Sequence, residues 1–313
     1  MTLAVALIGV SGTLRAIAPG IVLVVLLTWP IGIGMGLAGA LAPVAVKERF
    51  ADRPASATGI YTTGIQVGSA ASSAAAVPLA HALGGWRWSL AVFSLVSIAL
   101  AAAWTGFTSH EPPHERPHLR PAELPWHSGT AWLLVAVFAL MSSTYYGLNA
   151  WLPDSFVERG WSESRAGGLL AVLNLVAIPA SFLVPWLSDR VGGRRPWLAA
   201  TSFFFVGGTL GFVLVPGAAY LWAASVGLAS GAMFALVLTL PLDLEHEPRR
   251  VGALVGMMLG LGYTIGAISP FVLGAVRDAS GTFTGALWLL VGFAVAMLAT
   301  VSLVLGRRQA TPA

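Results

Sequence analysis

The chain has 313 residues, of which 57% are hydrophobic and only 10% charged, and its mean hydropathy is +0.80. In a soluble domain about a quarter of the residues carry charge, so this composition excludes an ordinary soluble enzyme or binding module. The 17 Lys and Arg outnumber the 13 Asp and Glu, but they stand singly or in pairs between apolar stretches and do not mark a nucleic-acid surface. With no cysteine there are neither disulfides nor thiolate metal sites, and no metal or cofactor is expected.

Residues 16–46, 54–86, 88–110, 124–153, 166–188, 196–242, 251–276 and 279–306 contain no Asp, Glu, Lys or Arg. A helix needs about 20 apolar residues to cross the hydrocarbon core, and nearly every stretch is that long. In lipid the backbone must satisfy its own hydrogen bonds, and no short alternating segments suggest a barrel. The fold expected is an all-α polytopic membrane protein of about ten spans. In chain order these are 2–18, 20–44, 56–80, 86–107, 129–152, 164–187, 196–216, 217–241, 250–275 and 283–306. Pro216-Gly217 supplies the turn that divides the longest stretch. The first span is short, with 14 uncharged residues before Arg15, or about 21 Å of helix.

Ten spans return both termini to one side. That side carries Lys47, Arg49, Arg53, Arg116, Arg120, Arg190, Arg194, Arg195, Arg249, Arg250, Arg307 and Arg308; the other carries Arg15, Arg87, Arg159, Arg165 and Arg277. Basic residues in short loops favour the cytoplasm, so both termini are expected there, in a plasma or inner membrane. The segment 108–128, rich in Pro, His and Arg, reads as a cytoplasmic linker. It separates an N-terminal bundle of four spans (1–107) from a C-terminal bundle of six (129–308), with a tail over 309–313. His110, His114 and His118 sit among Pro112, Pro113 and Pro117, which preclude the continuous helix that would align them on a metal.

A shift of 198 residues superposes Pro43 on Pro241, Gly64 on Gly262 and Gly68 on Gly266, and lays the second to fourth spans over the eighth to tenth. Parallel repeats of this kind mark one large group of transporters. Residues 129–198 find no partner in the first part of the chain, so the repeat predicts about 70 further residues ahead of Met1 in a complete protein. A truncated chain and a misplaced start are both compatible with this. Gly64-x-x-x-Gly68 and Gly262-x-x-x-Gly266 are expected to let helix backbones approach closely. Pro30, Pro43, Pro78, Pro241 and Pro270 are expected to bend their spans.

Several stretches resemble the major facilitator superfamily, and within it the cyanate and 2-nitroimidazole permease branch. They are Ser142-Ser143-Thr144-Tyr145-Tyr146 followed by Ala150-Trp151-Leu152-Pro153, then Pro43 to Lys47, Thr58 to Thr62, Gly85-Trp86-Arg87, and Gly262-Tyr263 with Pro270. The resemblance spans the chain and implies family helices three to twelve. Asp189-Arg190-Val191-Gly192-Gly193-Arg194-Arg195 is similar to the family's Asp-Arg-x-Gly-Arg-Arg loop, with one extra glycine. It implies that Asp189, Arg190, Gly193, Arg194 and Arg195 belong to a cytoplasmic latch biasing the inward and outward states.

The resemblance also implies that the second, fifth and eighth spans line the solute cavity. Their polar residues are Thr28, Trp29, Ser143, Tyr145, Tyr146, Asn149 and Thr239. A buried hydroxyl or amide in lipid needs a partner, so these should face a cavity or a neighbouring helix, and Tyr145 and Asn149, four apart, share a face. Gln66 and Asn174 are weaker candidates. No Asp, Glu or His lies near the middle of a span, so either a proton couples through a residue outside this sequence or transport is facilitated diffusion. A cation for an anionic solute could come only from Arg15 or Arg87, both near span ends, where each could instead snorkel. The implied function is a monomeric secondary or facilitative transporter of a small polar or weakly anionic solute across the bilayer. An incomplete carrier unable to enclose its solute is the alternative. A membrane-embedded enzyme would need paired Asp or a Ser and His set within the spans, and neither is present.

Overall fold

A computed structural model describes residues 2–108 and 123–307, and among them every regular element is helical. The helices are α1 (Thr2–Ile17), α2 (Ile21–Leu26), α3 (Thr28–Arg49), α4 (Pro54–Ala82), α5 (Trp86–Thr108), α6 (Gly129–Val157), α7 (Glu163–Val191), α8 (Arg195–Leu214), α9 (Ala219–Leu244), α10 (Pro248–Ser280) and α11 (Phe283–Arg307). A 3-10 turn at Pro216–Ala218 joins α8 to α9, at the turn expected from Pro216-Gly217. Most of the linker, with His110, His114, His118, Arg116 and Arg120, and likewise Arg308 and the tail, lie outside the described residues.

Eight segments are long and apolar enough to cross a membrane. α1 has 16 residues and is the short apolar span, while α4 has 29 but is diluted by Ser, Thr and Gly. The second span is interrupted, because Pro30 has no N–H to give the Leu26 carbonyl and the chain turns at Leu27 between α2 and α3. The other starts follow local chemistry. Ser128 accepts from the Ala131 N–H and Ser162 from the Arg165 N–H as side-chain caps of α6 and α7, and α10 opens on Pro248. At 33 residues, α10 is about 50 Å long and overruns the hydrocarbon core.

Lipid gives helices no hydrophobic reason to associate, so close packing must do it, and small residues allow it. α7 and α9 form the tightest seam. A Cβ on Gly227 would strike the Leu173 carbonyl, and one on Gly231 the Ala177 carbonyl. On α8, Gly208 admits Val226 and Gly211 admits the Trp222 ring. α6 packs on α10 with Phe138 over Gly262 and Ser142 over Gly266. The Ser142 hydroxyl donates to Gly262 O (3.1 Å) and Ser269 to Ser143 O (2.8 Å) across the same seam. These contacts enclose a core of buried residues drawn almost wholly from α6–α11.

In the first four spans, α1 lies between α3 and α5, and α4 joins α5 to α7 and α9. Arg87 Nη1 donates to the Ala18 carbonyl (2.6 Å), satisfying the open end of α1. Gly64 and Gly68 do not pack as expected: a Cβ on either meets no atom within 4 Å. α4 touches α7 through Gly59 and Thr63 and presents open space beyond them.

Candidate solute site and inter-bundle latch

The contacts between the first four spans and the last six gather at one end of the bundle, here termed the basic face because Lys47, Arg49, Arg53, Arg190, Arg194 and Arg195 lie there. Lys47 Nζ donates to Leu242 O (2.7 Å) near the C-terminus of α9, where helix carbonyls lack partners and a cation is favoured. The mirror-image contact is made by Asp189 at the end of α7. Its Oδ2 accepts from Ser56 N (2.7 Å) and Ser56 Oγ (2.8 Å) in the first turn of α4, where the helix dipole favours an anion.

Arg194 ties this carboxylate to a second one. Its Nη1 donates to Asp189 Oδ1 (3.0 Å), and its Nε to Asp243 Oδ2 (2.7 Å) at the end of α9. The side chains of Arg194 and Asp189 are 10% and 9% exposed. Burial works against the Arg194 charge, but Asp243 and Asp189 outweigh it and hold the guanidinium protonated above its ordinary range. Gly192 and Gly193 make the fold-back possible with φ of +81° and +77°, left-handed backbone that side chains resist. Arg190 turns away and stacks on Trp186 at 3.8 Å. Arg195 opens α8 outside these ion pairs.

Above the latch the seam becomes neutral. Thr63 and Ser181 share a hydrogen bond (2.8 Å), and Gly39 lies against Leu259. Beyond it, Cβ atoms on Gly32, Gly36, Gly64 and Gly68 would all meet open space. The two groups of spans are therefore joined at the basic face and diverge toward the far face.

The polar residues between them form one cluster. On α6, Tyr145 Oη donates to Asn174 Oδ1 of α7 (2.9 Å), and Asn149 Nδ2 to Tyr145 O (2.9 Å). Asn174 Nδ2 is held by Leu170 O at 2.9 Å with Asn149 Oδ1 at 3.5 Å. Tyr146 stands edge-on to Tyr145, ring centroids 5.5 Å apart, and 6.4 Å from Tyr263 of α10, which in turn packs edge-on to Phe138 at 4.9 Å. Tyr146 and Tyr263 are 39% and 38% exposed and are the open members of the group. The cluster offers hydroxyl and amide groups with aromatic faces and no formal charge.

Two expected cavity residues, Thr239 and Ser143, fall elsewhere. Thr239 is wholly buried with its hydroxyl on Leu236 O. Ser143 is buried in the α6–α10 seam, its carbonyl engaged by Ser269. Thr28 turns its hydroxyl to Val24 O, as a helix-breaking region invites, and Trp29 is 72% exposed on the first four spans. Asn174 and Tyr263 are the additions. Asn174 was legible as a mid-span amide, but nothing in the sequence sets Tyr263 opposite Tyr146. At the far face a groove of about 800 Å³ carries Asp154, Glu158, Arg277 and Asp278, and there Glu158 Oε1 accepts from the first N–H of α11 at Phe283 (3.0 Å). Nearby, burial lowers the Arg159 guanidinium below its ordinary range while Glu158 opposes the shift, and Arg159 Nη1 donates to Phe212 O (2.8 Å).

Sequence comparison agrees with this geometry. The profile described as Major Facilitator Superfamily matches residues 1–267. The chain belongs to the Major Facilitator Superfamily. It is 28% identical over 278 residues to the cyanate transport protein CynX of Escherichia coli, covering 88% of this chain and 72% of that one. It is 28% identical over 280 residues to the 2-nitroimidazole transporter of the same organism, covering 88% and 70%. The transporter YycB of Bacillus subtilis is 26% identical over 272 residues, covering 85% and 67%. Among solved structures, the transporter FucP in its outward conformation superposes with a TM-score of 0.72 at 15% identity, over 97% of this chain and 81% of FucP. That likeness concerns the fold alone. The expected superfamily and permease branch are thus met, and the protein is a multi-pass membrane protein of the transporter class.

Proposed function

We propose that the protein is a secondary or facilitative transporter that carries a small polar or weakly anionic solute, of the size of cyanate or a nitroimidazole, by alternating access. The observation that carries this reading is the uncharged cluster of Tyr145, Tyr146, Asn149, Asn174 and Tyr263 on α6, α7 and α10, in a chain whose two groups of spans are joined at one end. In a low-dielectric site a hydroxyl or amide lost from a hydrogen-bonded set leaves its partner unsatisfied, so the pairing of Tyr145 with Asn174 would fix the donors and acceptors a solute meets. Tyr146 and Tyr263 would supply faces for a planar solute to stack on.

In this reading the basic face is cytoplasmic, both termini lie there, residues 1–107 and 129–308 act as two bundles, and 108–128 links them. The protein would lie in the inner or plasma membrane and work as a monomer. The latch of Asp189 and Arg194 would close the cytoplasmic side while the far side is open.

Uptake of radiolabelled cyanate and of a 2-nitroimidazole into proteoliposomes tests the assignment. The expected result is saturable uptake of at least one of them. Asn174→Leu should lower uptake about tenfold or more, because it removes one bonded partner and orphans Tyr145. Tyr145→Phe should cost less, and neither change should alter the amount of folded protein by as much. Uptake that does not saturate, or that survives Asn174→Leu unchanged, would sink the cluster as the solute site.

A further inference from the structure

Beside the latch a cleft of about 1080 Å³ opens at the basic face, walled by α3, α4, α5 and α7 and lined by Asp189 itself. Its inner wall includes Tyr61 of α4, about two turns from the start of that helix. Tyr61 belongs to the first four spans, yet its side chain packs against the buried core formed mainly by the last six. Its phenol lies within electrostatic reach of Tyr263, the member of the solute cluster on α10. Tyr61 is therefore a residue of the cleft's lining that also packs on the core and reaches toward the cluster.

The hydroxyl of Tyr61 is buried with no hydrogen-bond partner, and so is the hydroxyl of Thr58 one turn earlier, which lies beside it without hydrogen-bond geometry. An unsatisfied buried hydroxyl is a cost borne by the state that contains it. Packing against the apolar core holds the ring, so it can swing without breaking a hydrogen bond.

We propose that Tyr61 is the gate between the solute cluster and the cleft at the basic face, closed in this conformation by its ring and satisfied at its hydroxyl only when the gate opens. The inference rests on the transport reading for its purpose but not for its test. It assigns opposite effects to two substitutions at one position. Tyr61→Ala removes the ring and opens the path. Tyr61→Phe keeps the ring, removes the unsatisfied hydroxyl and so favours the closed state.

The chain has no cysteine, so single reporters are unambiguous. Ala57→Cys, in the wall of the cleft, identifies the vesicles in which the basic face meets the medium. Asn149→Cys then reports access to the cluster by a membrane-impermeant maleimide added to those vesicles. The expected outcome is slow labelling of Asn149→Cys, accelerated about tenfold or more by Tyr61→Ala and slowed severalfold by Tyr61→Phe. Labelling at one rate whatever occupies position 61, or faster labelling with Tyr61→Phe, would overturn the gate. Should Tyr61→Ala fail to fold, as lost Ala57→Cys labelling would reveal, the Tyr61→Phe direction still decides. Absent uptake of both test solutes by the unsubstituted chain would reject the transport reading, and the gate would still stand or fall on the labelling rates.

Discussion

Gly231→Leu is expected to unfold or grossly destabilise the protein, whereas Gly64→Leu is expected to do almost nothing. At Gly231 the space for a side chain is occupied by the Ala177 carbonyl, which is backbone and cannot rotate aside. Four residues earlier Gly227 meets the Leu173 carbonyl in the same way, so α7 and α9 would have to separate along the whole seam. Overpacking a close-fitted core costs about 1–3 kcal/mol and more when backbone must move, which places Gly231→Leu at about 3 kcal/mol or above. Gly64 faces open space, and changes at such sites stay within about 0.5 kcal/mol. Thermal denaturation in detergent, followed by the monodisperse fraction on size exclusion, separates the two. Equal losses at both positions would mean that the α7–α9 seam is not the close contact described.

Arg194→Ala carries the second large effect. Without the guanidinium, Asp189 loses its ion-pair partner while its side chain is only 9% exposed, and the tie from Asp189 through Arg194 to Asp243 is cut. Removing one partner of a buried ion pair typically costs about 3–5 kcal/mol, most of it the penalty of the stranded charge. The first casualty should be the closed basic face, since Asp189 also holds α4 through Ser56. Transport should fall more than tenfold, and Ala57→Cys in the adjoining cleft should label faster. The double variant Arg194→Ala, Asp189→Asn removes the buried stranded carboxylate charge and should regain part of the lost stability. If the double variant is as unstable as Arg194→Ala alone, stranded charge is not the cause.

The architecture was legible because apolar length is a direct physical requirement of the bilayer. Charge-free stretches gave ten helices whose ends fall within a few residues of those described. Even the helix extensions past the membrane have a simple origin, since loops such as Glu245 to Glu247 are too short to hold polar turns of their own. The interruption at Leu27 was foreshadowed by Pro30, though a proline near a helix start can be accommodated without a break. Small-residue pairing was harder to read. Gly64-x-x-x-Gly68 and Gly227-x-x-x-Gly231 look alike in sequence, and only the neighbouring helix decides which is used.

Site residues divided along the same line. Tyr145 and Asn149 could be placed together because four-residue spacing fixes one face of a helix. Thr239 and Ser143 could not be excluded, because a hydroxyl can satisfy itself on its own helix, as Thr239 does on Leu236 O. Tyr61 lay within the Thr58 to Thr62 stretch that resembles the family, but its position follows from how α4 leans on α7 and α9, a relation between distant segments. The Arg194 fold-back depends on the second glycine of Gly192-Gly193, which as a sequence feature appeared only as a departure from the family loop.

The division of the seam into an ionic end and a neutral middle has an electrical consequence. The formal charges that join the two groups of spans, those of Lys47, Asp189, Arg194 and Asp243, lie at the basic face, and the contacts farther in are hydroxyl, glycine and aromatic. Moving one elementary charge through the membrane potential is worth about 2.3 kcal/mol per 100 mV. Rearranging the spans moves none of these four across the field, so the voltage dependence of a flux would report the charge of the solute together with that of any ion moving with it.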